Sequence, residues 1–256
     1  MNSKEQCYKV FSNGLIISVG TLLALSTLLK AIPDILNHFS SSIHYIHVII
    51  IGLSYFMWIW SWLTAAYGDP GYIKTDLQER GLLKQIQRGD IPKNLQHLKI
   101  CSKCGLPMPK GSAHCDECNT CVLRNDHHCG VIVNCVADRN FKAFVLGFFY
   151  AGVHSTVCGI YSIISCVMTK DKSDMSIVSL ITGVYGLVIA LMMYCFSGIF
   201  LCSNFNELQK DHITLHEYVS SFGEHFYQYF IPIQRKSSKL AWPDVEWEFD
   251  EPLILL

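Results

Sequence analysis

Charge is what this sequence has least of. Only 16% of its 256 residues are Asp, Glu, Lys or Arg, against 50% hydrophobic residues, and the formal net charge is −1. That balance is too apolar and too charge-poor for an ordinary soluble domain. No basic stripe is present, which argues against a nucleic-acid surface. The chain also lacks a Gly-rich phosphate loop and a Ser/His/Asp arrangement, so nothing in it points to nucleotide-dependent or serine-hydrolase chemistry. No internal repeat and no low-complexity stretch is evident.

The missing charge is concentrated in four long runs, at residues 11–32, 43–66, 143–168 and 177–202, the last three without a single Asp, Glu, Lys or Arg. Each exceeds the ~20 residues that span a bilayer core, so they predict four transmembrane helices. The first run is longer than a signal-peptide core, has no small-residue cleavage site just after it, and so reads as a retained span whose Lys30 snorkels. Lys4, Lys9, Lys74, Arg80, Lys84, Arg124, Arg139, Lys142 and Lys210 fall on one side of these spans, against Lys30, Lys170 and Lys172 on the other. The excess predicts that both termini and the middle loop are cytosolic. The expected fold is an all-α polytopic membrane protein divided at 1–66, 67–142, 143–204 and 205–256. Within the middle segment, LQERGLLKQIQRGD reads as one short amphipathic surface helix, and Asp69-Pro70-Gly71 as a helix stop and turn. His44, His47 and His154 read as packing residues inside spans. The terminal Glu251-Pro252-Leu253-Ile254-Leu255-Leu256 resembles an acidic dileucine sorting signal.

Cysteine, by contrast, is abundant. Seven of the twelve cysteines and three histidines lie between Cys101 and Cys135. Cytosol keeps thiols reduced, so such a cluster points to metal rather than to disulfides. The pairs Cys101-x2-Cys104 and Cys115-x2-Cys118 have the short spacing that aims two thiolates at one ion. Neighbours such as His114 and Cys115 project to opposite sides of an extended chain, which predicts two interleaved sites. Two tetrahedral zinc sites use eight ligands and leave two of the ten residues over. Cys7, Cys158, Cys166, Cys195 and Cys202 lie outside the cluster; Cys7 is a candidate for lipidation.

Cys-x2-Cys-x9-His-Cys-x2-Cys-x2-Cys-x4-Asp-His-His-Cys-x5-Cys, followed by Asn140-x3-Phe144, resembles the cysteine-rich domain of the DHHC-type protein S-acyltransferases. Four spans with this domain between the second and third, and Asp69-Pro70-Gly71 after span two, fit the same family. The resemblance implies one zinc on Cys101, Cys104, His114 and Cys121, and a second on Cys115, Cys118, His128 and Cys135. The spare pair is then His127 and Cys129. Cys129 is implied as the nucleophile, His127 as its base, and Asp126 as the group that fixes the His127 tautomer. The implied reaction is ping-pong, from palmitoyl-CoA or a similar acyl-CoA to Cys129 and then to a cysteine of a membrane-associated substrate protein. Cys129 lies fourteen residues before Ala143, which would let it face the bilayer surface. Endoplasmic reticulum or Golgi is the implied location.

Several positions depart from the family pattern. Gly130-Val131 stand where most members have Pro-Trp. Met108-Pro109-Lys110-Gly111 loses two basic groups implicated in holding CoA phosphates, for which Lys110 and Arg124 are the remaining candidates. Thr214-Leu215-His216-Glu217 keeps half of a Thr-Thr-x-Glu motif, and Ala137 replaces a Gly. Two other classes fit parts of the pattern. A catalytically weak zinc-finger adaptor is one; a membrane-anchored RING-like ubiquitin ligase is the other, though Cys129-x5-Cys135 lacks the final Cys-x2-Cys of a RING.

Overall fold

A computed structural model of the chain describes residues 3–36, 44–168, 174–209 and 214–220, with Gln228, Phe230, Ile231, Pro232, Ala241, Trp242 and Val245. Lys170, Lys172, Lys210 and the terminal stretch 251–256 lie outside the described residues. Among the described residues, four helices are long and apolar enough to cross a membrane: Gln6–Ala31, Tyr45–Tyr67, Phe141–Met168 and Ile177–Gln209. The chain divides into two compact units. One comprises Met1–Tyr67, Gly130–Val133 and Lys142–Ile233; the other comprises Gly68–Cys129, Asn134–Phe141 and Gln234–Leu256.

The first unit contains the spans. Helix α1 (Ser3–Ser26) runs into a π-helical turn, Thr27–Ala31, and then α2 (Ile32–Leu36). Pro33 explains the turn: its ring has no N–H and crowds the carbonyl four residues back, and the wider register absorbs this. Helices α3 (His44–Tyr67) and α6 (Phe141–Met168) are joined by polar contacts that substitute for the hydrophobic driving force missing in lipid. Ser54 Oγ lies 3.0 Å from His154 Nδ1, and His47 Nδ1 lies 2.5 Å from Tyr161 OH. His47 and His154 are thus partnered packing residues. Thr21 of α1 meets Tyr55 OH of α3 at 2.6 Å. Between α6 and α7 (Asp174–Gln209) Phe144 and Phe148 pack against Phe200, and Thr156 Oγ1 meets Tyr194 OH at 3.3 Å. Thr214 and Glu217 form a reciprocal capping box at the start of α8 (Leu215–Ser220): Glu217 Oε2 accepts from the Thr214 N–H at 2.8 Å, and the Glu217 N–H donates to Thr214 Oγ1 at 3.2 Å. The two retained positions of the half-kept motif are therefore a helix cap.

In the second unit, the stretch expected as one amphipathic helix is two, α4 (Ile73–Glu79) and α5 (Leu83–Gln87). Gly81 adopts φ +74°, and the Leu82 N–H reaches back to the Leu77 carbonyl, a Schellman stop that only glycine takes at little cost. Ile73, Leu77, Leu83, Ile86 and Leu95 form its core with Leu106, Leu123 and Trp242. Arg139 is buried beside them and fully paired, as a buried charge must be. It donates to Asp76 at 2.8 Å and to Glu79 at 2.7 and 3.1 Å, and approaches Asp69 at 3.5 Å. Trp242 Nε1 donates to the other Asp76 oxygen at 2.9 Å. Asp69 Oδ1 accepts from the Gly71 and Tyr72 N–H groups, so Asp69-Pro70-Gly71 is a built corner as well as a helix stop.

Among the described residues, six short strands form three antiparallel hairpins: β1 (Lys99–Ile100) with β2 (Pro107–Met108), β3 (Ala113–Cys115) with β4 (Thr120–Val122), and β5 (His127–Cys129) with β6 (Asn134–Val136). Lys99 pairs Met108, Ala113 pairs Val122, and His127 pairs Val136. Successive pairs are offset by 14 residues, and so are the left-handed positions at the three hairpin tips, Gly105, Asn119 and Val133. The chain therefore does contain a repeat, three copies of one hairpin. Its signal is a handful of ligands and one backbone conformation, carried by three different residue types, which is why reading the residues along the chain does not reveal it.

Candidate active site and metal centres

The hairpins place the cluster residues by register. His114 stands opposite Cys121 and His128 opposite Cys135, while Cys115 and Cys129 face Thr120 and Asn134. Successive side chains on β3 point to opposite sides, so His114 and Cys115 go to different groups. Cys101, Cys104, His114 and Cys121 come together, as do Cys115, Cys118, His128 and Cys135; within each set the ligand atoms lie within 4.8 Å of one another. Each member of the second set follows its counterpart by 14 residues.

The chemistry of these sets fits a metal ion. His114 Nδ1 lies 3.7, 3.2 and 3.7 Å from the sulfurs of Cys101, Cys104 and Cys121. His128 Nδ1 lies 3.5, 3.4 and 3.7 Å from Cys115, Cys118 and Cys135. A tetrahedron with Zn–S near ~2.3 Å and Zn–N near ~2.0 Å has edges of about 3.5–3.8 Å. Without a cation the thiols cannot ionise together. Burial and then the Cys101 and Cys104 sulfurs push Cys121 up, while the Cys118 sulfur and then burial push Cys135 up. In both knuckles a backbone N–H supports the first sulfur: Cys104 N to Cys101 Sγ and Cys118 N to Cys115 Sγ, each 3.4 Å. Tyr72 and Asn140 support the second set and carry no sequence signal as ligands. Tyr72 lies beside Cys118 and donates its OH to Asn134 Oδ1 at 3.3 Å, and Asn140 Nδ2 donates to the Cys135 carbonyl at 2.8 Å.

Carrying the period one step further gives Cys129, Ile132, Lys142 and Phe149 as a third set. Only the first can bind a metal, so Cys129 has the place of a ligand and no companions. It is buried, 9% exposed. Two residues earlier, His127 Nδ1 and Asp126 Oδ2 are 2.8 Å apart. That hydrogen bond, followed by one to Cys129, raises His127 to about 9, so its imidazolium persists through neutral pH beside the thiol. A neighbouring imidazolium favours thiolate, the reactive form of cysteine. Asp126, His127 and Cys129 are thus connected in one short segment. Asp126 is itself held by its N–H to the Val136 carbonyl at 3.0 Å.

The two candidate phosphate contacts are placed differently. Lys110 is exposed. Arg124 NH1 donates to the buried Asp138 carboxylate at 2.9 Å, with only 13% of its side chain exposed.

A helical protein with four candidate spans, carrying paired Cys3His knuckles and an unligated Cys-His-Asp group, defines a narrow class, and the comparisons agree. The DHHC palmitoyltransferase model matches residues 94–221, half of the chain. The chain therefore belongs to the DHHC palmitoyltransferase family. It is 33% identical over 112 residues to probable protein S-acyltransferase 13 of Arabidopsis thaliana, covering 41% of this chain and 37% of that protein. It is 30% identical over 195 residues to palmitoyltransferase ERF2 of Kluyveromyces lactis, covering 69% of this chain and 51% of that protein. Probable protein S-acyltransferase 15 of Arabidopsis thaliana is 41% identical over 80 residues, 31% of this chain and 30% of that protein. These alignments span between about a third and a half of the relatives' lengths.

Proposed function

We propose that this chain is a protein-cysteine S-acyltransferase in which Cys129 carries the acyl group as a thioester. The observation that carries this reading is the Asp126–His127–Cys129 connection within a hairpin whose other cysteine and histidine belong to a metal set. In the first half-reaction the Cys129 thiolate attacks the acyl-CoA carbonyl. A carbon–sulfur bond forms to Cys129, the bond to the CoA sulfur breaks, and the departing thiolate takes the His127 proton. In the second, His127 accepts the proton of a substrate thiol, whose sulfur attacks the acyl carbonyl and releases Cys129 as thiolate. Atoms and charges balance in both halves, and the thioester bond energy is conserved.

Two zinc ions on the eight Cys and His residues supply rigidity. Three thiolates and a neutral imidazole leave each site about one negative charge, so neither provides a field favouring a thiolate. Palmitoyl-CoA is the proposed donor: burying a sixteen-carbon chain contributes on the order of 10 kcal/mol gross at about 0.8 kcal/mol per methylene. Lys110 and Arg124 are the proposed contacts to CoA phosphates. Substrates are membrane-associated proteins with accessible cysteines, the zinc region and termini are cytosolic, and the location is endoplasmic reticulum or Golgi.

The deciding experiment incubates purified chain with radiolabelled palmitoyl-CoA. Hydroxylamine-sensitive label on the peptide containing Cys129 is the expected result. Zinc-replete protein that takes no label there would be a zinc adaptor instead of a transferase.

A further inference from the structure

Two of the three hairpin tips carry a cysteine that belongs to a candidate metal set. In the first copy that residue is Cys104, in the second Cys118, each three residues after the leading cysteine and one before the left-handed position. In the third copy the same place is Ile132, which ligates nothing. Yet the third tip keeps the conformation of the others, with φ +51° at Val133, a β-branched residue for which this region is an outlier. Something other than a metal must hold it there, since such a conformation persists only where its surroundings impose it.

The tip residues 130–133 belong to the same compact unit as α1 and α3, and those helices supply the fastening. Ile132 is fully buried and Val133 is 7% exposed. Ser12 Oγ of α1 donates to the Val131 carbonyl at 2.9 Å. The neighbouring Asn13, 1% exposed, directs its Nδ2 to the Lys9 carbonyl at 2.8 Å and, at a longer 3.5 Å, to the Ile132 carbonyl. Trp62 Nε1 of α3 donates to Asn13 Oδ1 at 2.8 Å, which fixes the amide's orientation. Two consecutive carbonyls of the tip therefore accept hydrogen bonds from two consecutive residues of α1.

We propose that Ser12 and Asn13 are positioning residues that do for the third hairpin tip what a metal does for the first two, and so set the placement of Cys129. One peptide bond joins Cys129 to the tip at Gly130, a residue without the ring that a proline would supply there. The device thus accounts for how a Gly-Val sequence can follow the nucleophile without loosening it. The inference rests on the acyltransferase reading for its effect on rate, but not for its effect on the loop.

The test uses the full chain in phospholipid nanodiscs, zinc-replete, as Ser12→Ala, Ser12→Thr, Trp62→Phe and the Ser12→Ala/Trp62→Phe double variant. Trp62→Phe keeps a six-membered aromatic ring against Phe148 and removes the indole N–H that bonds Asn13, together with the rest of the buried indole. Two readouts are taken: single-turnover labelling of Cys129 by palmitoyl-CoA, and alkylation of Cys129 by iodoacetamide at one fixed pH. Misplacement of a reacting group by an ångström can cost about a hundredfold, so the double variant should lower the limiting acylation rate at least tenfold. The half-saturating palmitoyl-CoA concentration and the zinc content should stay unchanged, and Ser12→Thr, which retains the hydroxyl, should be close to wild type. Alkylation should become severalfold faster as the buried thiol is released. Unchanged acylation and alkylation in the double variant would overturn the proposal, and so would a rate loss that tracks zinc loss. If the wild type itself takes no acyl label, the transferase reading fails, while the alkylation comparison still decides whether Ser12 and Asn13 hold the tip.

Discussion

The second and third hairpins are nearly the same object put to two uses. Ser112-Ala113-His114-Cys115 in one occupies the places of Asp126-His127-His128-Cys129 in the other, with the same register to the facing strand. The shared His and Cys show what the scaffold requires, and the two differences show what the chemistry requires. Where Ser112 donates its Oγ to the Pro109 carbonyl, Asp126 accepts from His127. Cys115 falls in a candidate metal set, whereas Cys129, the next in the series, has no such set around it and follows the His127–Asp126 pair by two residues. In the proposed function the nucleophile is thus a ligand position with nothing to ligate.

The largest effects should separate the two cysteines. Cys115→Ser removes a ligand from the second set, and structural zinc contributes directly to folding free energy, on the order of 10 kcal/mol in isolated knuckles. Purified protein should lose one of about two zinc ions per chain, or fail to accumulate. Cys129→Ser should keep both ions, measured by metal analysis, and lose the acyl label completely. Loss of zinc from Cys129→Ser would mean that the third hairpin is a ligand copy after all.

Converting the third hairpin to the second is the next test. The double variant Asp126→Ser/His127→Ala should slow autoacylation by about 100- to 10,000-fold, the usual range for a general acid–base group, with both zinc sites retained. The single change Asp126→Asn is subtler and acts through pH. Because the Asp126 hydrogen bond is the main reason His127 sits at about 9, removing the carboxylate lowers it toward the ordinary 6.5. The imidazolium then persists over a narrower range, and the rise of autoacylation with pH should move up toward that of a free thiol, near ~8.5. A stability effect accompanies it. A histidine raised in the folded state contributes stability that is complete below pH 6.5 and lost as pH rises through about 9. Between those limits the wild type should lose thermal stability faster than Asp126→Asn; parallel melting curves would show that the pair is not formed.

How much of this was legible follows from range. Four apolar runs and a Cys/His spacing are local patterns; the runs located the long helices and the spacing the metal-binding region, while the division into two ligand sets came from the family resemblance. The split between α4 and α5 was also written locally, in Gly81, but a sequence rich in helix formers around it masked the stop. Arg139 and its partners lie 60 to 70 residues apart, and Trp242 reaches Asp76 across 166, separations at which no periodicity speaks. The fourteen-residue repeat fell between: close enough to see, but expressed through backbone conformation at Gly105, Asn119 and Val133 more than through residue identity.

Those last two positions offer the finest comparison. Asn tolerates the left-handed region and Asn119 is exposed, so Asn119→Val should cost the full penalty of about 1–2 kcal/mol with no burial to offset it. At Val133 the same penalty is already borne, and Val133→Asn would relieve part of it. That change also forfeits a buried side chain contributing about 1.5–3 kcal/mol, because Val133 is 7% exposed. The two terms oppose, leaving a net loss of about 1 kcal/mol or less. Thermal melts of the two variants should therefore differ, Asn119→Val being lower by a few degrees, even though both exchanges involve the same pair of residues at equivalent turns. A Val133→Asn variant that melts above the wild type would mean that the third tip is not packed as its burial implies, and that Val133 is strained without compensation.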